Sequence, residues 1–264
     1  MQNDIAYNNA DFIPNAEDFI QSWEVDARTF RETEAAIGRA RLNVSYGDDE
    51  REKLDMFHPS GPAEGLVIFV HGGYWLRFDR SFWSHFAAGC TSRGYAVAMP
   101  SYPLAPDARI AGITRSIAQA VEVAASLVRG PIVLTGHSAG GHLVARMACR
   151  DIAIAQPIRD RIARIVPISP VADLRPLLET TMNQTLHLDE AEAEAESPVL
   201  HAKPEVGVSV WVGAEERPAF LDQARWLNEA WGSDSHIAPG RHHFDILDLL
   251  LESDGPLVND LLTC

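Results

Sequence analysis

Pro131-Ile132-Val133-Leu134-Thr135 runs without a break into Gly136-His137-Ser138-Ala139-Gly140, and a helix-like stretch begins at Gly141. An apolar strand, a G-x-S-x-G turn and a helix, in that order, describe a serine held at the tip of a sharp strand-to-helix turn. Backbone at such a tip is strained. Side chains two residues to either side would collide with the adjoining strand and helix, so both flanks need glycine. The helix that follows aims its first amides and the positive end of its dipole at the reacting centre. A bare G-x-S-x-G arises by chance in roughly one chain in ten of this length; the strand before it and the helix after it remove most such accidents.

Working outward, Leu66–Val70, Ala96–Met99, Ile165–Ile168 and Val206–Val212 are also continuous apolar runs. Strands without polar alternation suit burial on both faces, as in parallel sheets. Segments 79–93, 110–129, 142–155 and 218–231 lie between or beside these runs and are long enough for helices. The alternation predicts an α/β fold: a mostly parallel central sheet of about eight strands, right-handed crossovers, and helices on both faces. Leu42–Tyr46 and Lys53–His58, around the turn Gly47-Asp48-Asp49, read as an antiparallel hairpin at a sheet edge. Residues 12–40 place Phe12, Phe19, Ile20, Trp23, Phe30 and Ile37 among charges, which predicts a broken amphipathic helix that packs rather than gates a site. No linker, repeat or low-complexity tract divides the 264 residues. One domain spanning 1–264 is expected, with 1–40 as an N-terminal helical segment.

Ligands of open α/β sheets bind beyond the carboxyl ends of the strands, so chemistry is expected just after each apolar run. Leu66–Val70 is followed by His71-Gly72-Gly73-Tyr74-Trp75, where glycines let backbone N–H groups approach a ligand. The amides of Gly73 and Tyr74, with that of Ala139 beside the serine, are the expected oxyanion donors. His71 is expected to brace this loop. Tyr74, Trp75 and His137 are the expected substrate-pocket residues, with simple packing the alternative for the two aromatic loop residues. A neutral serine hydroxyl is a poor nucleophile and needs a base that a third group orients. Where a serine sits on such a turn, the order along the chain is Ser, then Asp or Glu, then His. Arg241-His242-His243-Phe244-Asp245 supplies the base, and His243, followed by an apolar residue that anchors the loop, is the expected one. After Val206–Val212 comes Gly213-Ala214-Glu215-Glu216-Arg217-Pro218, in which Glu215 or Glu216 must serve as the acid. Asp222, within the following helix, is a weaker candidate.

Taken together, His71-Gly72-Gly73-Tyr74-Trp75, Gly136-His137-Ser138-Ala139-Gly140-Gly141-His142 and His243-Phe244 resemble the kynurenine formamidase (arylformamidase) branch of the α/β-hydrolase esterases related to hormone-sensitive lipase. Tyr46-Gly47, Leu54-Asp55, Tyr102-Pro103-Leu104-Ala105-Pro106 and Ile168-Ser169-Pro170-Val171-Ala172-Asp173-Leu174 agree with it, so the resemblance spans about residues 40 to 250. H-G-G-Y-W discriminates best, because lipase-like esterases usually carry H-G-G-G. Glu216-Arg217-Pro218-Ala219-Phe220 resembles the acid turn of that branch, which usually has Asp before x-Pro-x-Phe; the match favours Glu216 over Glu215, and the glutamate is a departure. The resemblance implies hydrolysis of a carboxylic ester or an N-formyl arylamide, a small-molecule substrate, and no metal or cofactor. The branch also contains general esterases and proteins described as thioesterases.

Charge and composition set outer bounds. With 22 basic against 37 acidic residues the net charge is −15, which disfavours nucleic acid and anionic membranes as partners. Cys90, Cys149 and Cys264 are far apart and without a CxxC pair, so reduced thiols are expected. No apolar run approaches the length of a membrane span and residues 1–18 carry no basic or apolar leader, so a cytoplasmic protein is expected. The oligomeric state is left open. His137, His142, His187, His201 and His242 form no H-x-x-x-H arrangement with a carboxylate, and no catalytic metal is expected. The acidic run Asp189–Glu196 is read as a solvated helix face, and 174–203 as a possible cap element bordering the pocket.

Overall fold

The computed structural model describes residues 2–263; the expectation of a reduced thiol at Cys264 lies outside them. Eight strands form one sheet: β1 (Ala40–Ser45), β2 (Lys53–Phe57), β3 (Gly65–Val70), β4 (Tyr95–Pro100), β5 (Ile132–His137), β6 (Ile162–Ile168), β7 (Gly207–Gly213) and β8 (Asp234–Ala238). Their order is β1-β2-β4-β3-β5-β6-β7-β8. β1 and β2 pair antiparallel, β2 pairs antiparallel with β4, and every other pairing is parallel. The hairpin thus lies at the sheet edge, as its turn residues predict.

The helices are α1 (Gln2–Tyr7), α2 (Ala16–Ala36), α3 (Ala88–Ser92), α4 (Ile110–Leu127), α5 (Ala139–Met147), α6 (Gln156–Arg159), α7 (Asn183–Leu186), α8 (Glu190–Ala195), α9 (Pro218–Trp231) and α10 (Pro256–Leu262). Successive side chains of a strand point to opposite faces, and both faces here are covered. Leu66, Ile68 and Val70 join the core with Ile113, Ile117, Leu143 and Phe220 on one side. Val67 and Phe69 meet Trp23, Trp83, Phe86 and Val258 on the other. This double burial explains the unbroken apolar runs; each such side chain contributes roughly 1.5–3 kcal/mol on leaving water.

Three segments depart from expectation. Segment 79–93 is not one helix: 3-10 turns at Arg80–Phe82 and Ser84–Ala87 precede the short α3. A 3-10 turn stacks side chains three residues apart, and here it brings the buried rings of Trp83 and Phe86 to a stacked pair at 6.4 Å. α5 stops at Met147 instead of running to 155, and Arg146 folds over the following turn to Asp151 at 2.6 Å. β8 has no apolar run because it is an edge strand with Asp234, Ser235 and Ile237 exposed. Pro14 marks the break predicted within 12–40, between a 3-10 turn at Ala10–Phe12 and α2.

β3 and β5 are parallel neighbours, in register from Leu66 opposite Ile132 to Val70 opposite Gly136. The loop after β3 and the turn after β5 therefore leave the sheet side by side.

Candidate active site

Ser138 sits between β5 and α5 with φ +57° and ψ −116°, a conformation that costs an L-residue about 1–3 kcal/mol. The packing enforces it. A Cβ on Gly136 would lie 2.5 Å from the Gly140 carbonyl oxygen, and one on Gly140 only 2.0 Å from that of Val70. Ser138 N–H donates to the Ile168 carbonyl on β6 at 2.9 Å, and the Ser138 carbonyl accepts from His142 N–H at 3.0 Å. Ala139 opens α5, so its N–H has no acceptor within the helix.

The loop after β3 is bent by three consecutive residues in the left-handed region: Gly73 at φ +107°, Tyr74 at +55° and Trp75 at +58°. For the two aromatic residues this costs roughly 1–2 kcal/mol each, and specific contacts hold them. Tyr74 OH donates to the Tyr7 carbonyl at 2.6 Å, and the Trp75 carbonyl accepts from Ala105 N–H at 2.8 Å. Of the two readings open for Trp75, packing holds. Its side chain is fully buried and meets His142 edge-on at 5.1 Å, away from the cavity beside Ser138. Gly73, Tyr74 and His137 do line that cavity. His71 braces the loop: its Nδ1 bonds the Gly72 carbonyl at 2.8 Å and its ring stacks on Tyr102 at 4.3 Å.

The acid turn and the base loop meet. Glu216 Oε2 accepts from His243 Nδ1 at 2.6 Å, with both side chains buried. Oε1 of the same carboxylate accepts from Gly213 N–H at 2.9 Å and from Ser169 Oγ. Glu215 is exposed. Asp222 pairs with Arg225 on α9 at 2.9 Å. His242 accepts from Phe244 N–H at 3.1 Å and so caps its own loop. His243 and Ser138 line the same cavity, without a hydrogen bond between them; such contacts commonly tighten only when substrate binds. His137 Nε2 donates to the His243 carbonyl at 2.8 Å, and the two rings lie 4.5 Å apart. Burial, then the neighbouring His243 charge, hold His137 well below the usual histidine range, so it is neutral.

The cavity encloses about 270 Å³. Trp23, Phe78, Trp83 and Phe244 give it aromatic walls, and Tyr7, Asn8 and Asn9 close one side. The segment from α1 to Ala10 is clasped to distant parts of the chain. Asn3 Nδ2 donates to the Pro176 carbonyl at 2.8 Å, Thr181 N–H to Asp4 at 2.6 Å, and Gln223 Nε2 to Tyr7 OH at 2.8 Å. Sequence reasoning missed this segment, whose short polar stretch lacks periodicity, and missed Ser169. The latter was within reach, since it directly follows β6. Within 174–203, only Thr181 and Met182 border the cavity.

The acidic run is only partly solvated: Glu192 pairs with Arg109 at 2.5 Å, and the buried Glu196 with Arg146 at 3.1 Å. Among the described residues, one group, Cys149, Asp151 and His201, has three metal-type ligand atoms close together. Arg146 donates to His201 Nε2 at 2.9 Å and to Asp151 at 2.6 Å, so a guanidinium already neutralises that group. None of the three lines the cavity. Cys90 and Cys149 are free and buried. Among the described residues, no helix is long and apolar enough to cross a membrane.

A family model described as the α/β hydrolase fold matches residues 67–218, more than half of the chain. The chain belongs to the α/β-hydrolase fold family. This hydrolase is 28% identical to the kynurenine formamidase of Salmo salar, over 94% of its own length and 90% of the relative's. It is 50% identical to a candidate thioesterase from Silicibacter sp. tm1040, with a TM-score of 0.97 and complete coverage of both chains. Esterase B of Lactobacillus rhamnosis shares the fold at a TM-score of 0.68, with 19% identity, 92% of this chain and 90% of that one covered.

Proposed function

We propose that this hydrolase cleaves a carboxylic ester or an N-formyl arylamide by acyl transfer through Ser138. The observation that carries the reading is the buried Glu216–His243 hydrogen bond at 2.6 Å, beside the cavity that both His243 and Ser138 line. With Nδ1–H engaged by Glu216, His243 presents the lone pair of Nε2 for a proton. Ser138 Oγ attacks the carbonyl carbon as its proton passes to Nε2. The resulting oxyanion rests on the N–H groups of Gly73, Tyr74 and Ala139, donors of the kind whose loss costs about 3–4 kcal/mol of barrier. His243 then protonates the departing alcohol or arylamine. A water, deprotonated by the same imidazole, attacks the acyl carbon, and Ser138 is released with the carboxylic acid. Glu216 orients the ring throughout.

Aromatic walls in a small cavity favour a flat substrate with a small acyl group, which accords with the formamidase relative. The 50% identity to a candidate thioesterase favours a second reading, a carboxylesterase or thioesterase without formamidase activity. Hydrolysis of N-formylkynurenine beside a short p-nitrophenyl ester and its thioester analogue, by native protein and Ser138→Ala, separates them. Formamide turnover exceeding ester turnover and absent from the variant supports the first reading. Ester or thioester turnover alone supports the second, and undiminished activity in the variant overturns both.

A further inference from the structure

We infer that Arg77 forms an anion subsite at the cavity mouth, and that the preferred substrates carry a carboxylate distant from the scissile bond. The inference rests on the cavity beside Ser138 being the substrate site. Among the described residues, Arg77 is the one guanidinium on the cavity wall, which holds no lysine. It is exposed, whereas Ser138, His137 and His243 are buried, so it marks the mouth. Its guanidinium carbon lies 5.3 Å from the centroid of Phe78, itself a wall residue, so the charge sits against the aromatic rim of the cavity. No carboxylate pairs with it among the described residues. One carboxylate, Asp4, shares the cavity wall and accepts from Thr181 N–H at 2.6 Å, and Asp79, two residues along the chain from Arg77, accepts from Ser81 N–H at 2.7 Å.

The position of Arg77 is fixed relative to the chemistry. Its N–H donates to the Gly73 carbonyl at 3.1 Å, closing one turn on the residue proposed to hold the oxyanion. A chain of net charge −15 repels anions at long range. A local unpaired guanidinium reverses that sign at the entrance and offers a planar fork suited to a carboxylate.

The test is ligand binding, read without turnover, in Ser138→Ala. Trp23 and Trp83 line the cavity, so quenching of tryptophan fluorescence reports occupancy. Benzoate and benzamide share a ring and differ in charge. Benzoate is expected to bind more tightly than benzamide. Arg77→Gln should weaken benzoate by about tenfold and leave benzamide within about twofold, and Arg77→Lys should recover part of the difference. Equal affinity for the two ligands, or a benzoate preference that survives Arg77→Gln, overturns the subsite. In parallel, native protein and Arg77→Gln are compared on phenyl acetate and 4-acetoxybenzoate, where the anionic ester alone should lose kcat/KM. Loss of the acyl-transfer reading would appear separately, as phenyl acetate hydrolysis that persists in Ser138→Ala.

Discussion

His137 donates from Nε2 to the backbone carbonyl of His243 at 2.8 Å, so the residue before the nucleophile position holds the chain of the expected base. The strut is neutral, and it therefore does not oppose the positive charge that His243 gains during acyl transfer. Replacing His137 by Leu removes the donor from a buried carbonyl. We expect kcat to fall about 10- to 100-fold with KM little changed, the scale of a misplacement near 1 Å. His137→Gln, which retains an N–H donor, should recover part of it. Steady-state kinetics on a single ester decide the matter.

Ser169 completes the set of donors around the Glu216 carboxylate. Ser169→Ala leaves one buried lone pair unmet, at about 1–3 kcal/mol, and frees the carboxylate to rotate away from His243. A roughly tenfold lower kcat is expected. Glu216→Asp should be poorer still, because a shorter side chain cannot reach Gly213 N–H and His243 together; activity equal to native in Glu216→Asp would refute that geometry.

Acid should destabilise the fold through its buried histidines. Burial depresses His71 from 6.5 to about 4, and His142 to about 3. A group whose folded pKa is lowered binds its proton first in the unfolded chain, so its stabilisation is complete above about 6.5 and drains away as pH falls towards 4. For His71 the difference corresponds to about 3 kcal/mol. Urea denaturation midpoints at pH 7.5 and 4.5 should diverge in native protein, and diverge less in His71→Gln.

Removing residues 1–13 strips the Tyr7 side of the cavity and its clasps to Pro176, Thr181 and Gln223. KM for aryl substrates should rise about tenfold, since contacts common to bound substrate and transition state affect KM more than kcat. Hydrolysis of ethyl acetate, which has no ring, should be affected less. A truncated protein with native KM for both would assign the segment a packing role alone.

Two glycines should respond in opposite ways. Gly140→Ala drives a Cβ to 2.0 Å from the Val70 carbonyl oxygen and should prevent native folding. Gly112→Ala, in the first turn of α4, meets nothing closer than 3.8 Å. It should raise stability by up to about 1 kcal/mol, visible as a higher thermal midpoint.

What sequence reading captured was local. The apolar runs and the glycines around Ser138 are short-range constraints, readable without knowing what lies across the sheet. The order Ser138, Glu216, His243 was readable because each follows a strand. Glu215 and Glu216 are alike in residue type; the resemblance of Glu216-Arg217-Pro218-Ala219-Phe220 to an acid turn favours Glu216, and the turn from β7 buries that carboxylate while Glu215 is exposed. The orientation of Trp75 depends on two successive left-handed residues that no propensity predicts. Tyr7 is held at the cavity by Gln223, more than two hundred residues away in sequence, and a short polar stretch gives no sign of such a partner. β8 was invisible because an edge strand buries too little to need an apolar run.

The pairing of Val70 with Gly136 has one further consequence. Strand registers change only in whole residues, so the separation between the proposed attacking serine and its oxyanion donors is graduated like a ruler and does not stretch continuously. Warming loosens the walls of the cavity and alters which molecules fit, yet leaves that separation untouched until the two strands part. Substrate choice should therefore drift with temperature well before turnover of the smallest ester fails, and that failure should coincide with melting of the sheet.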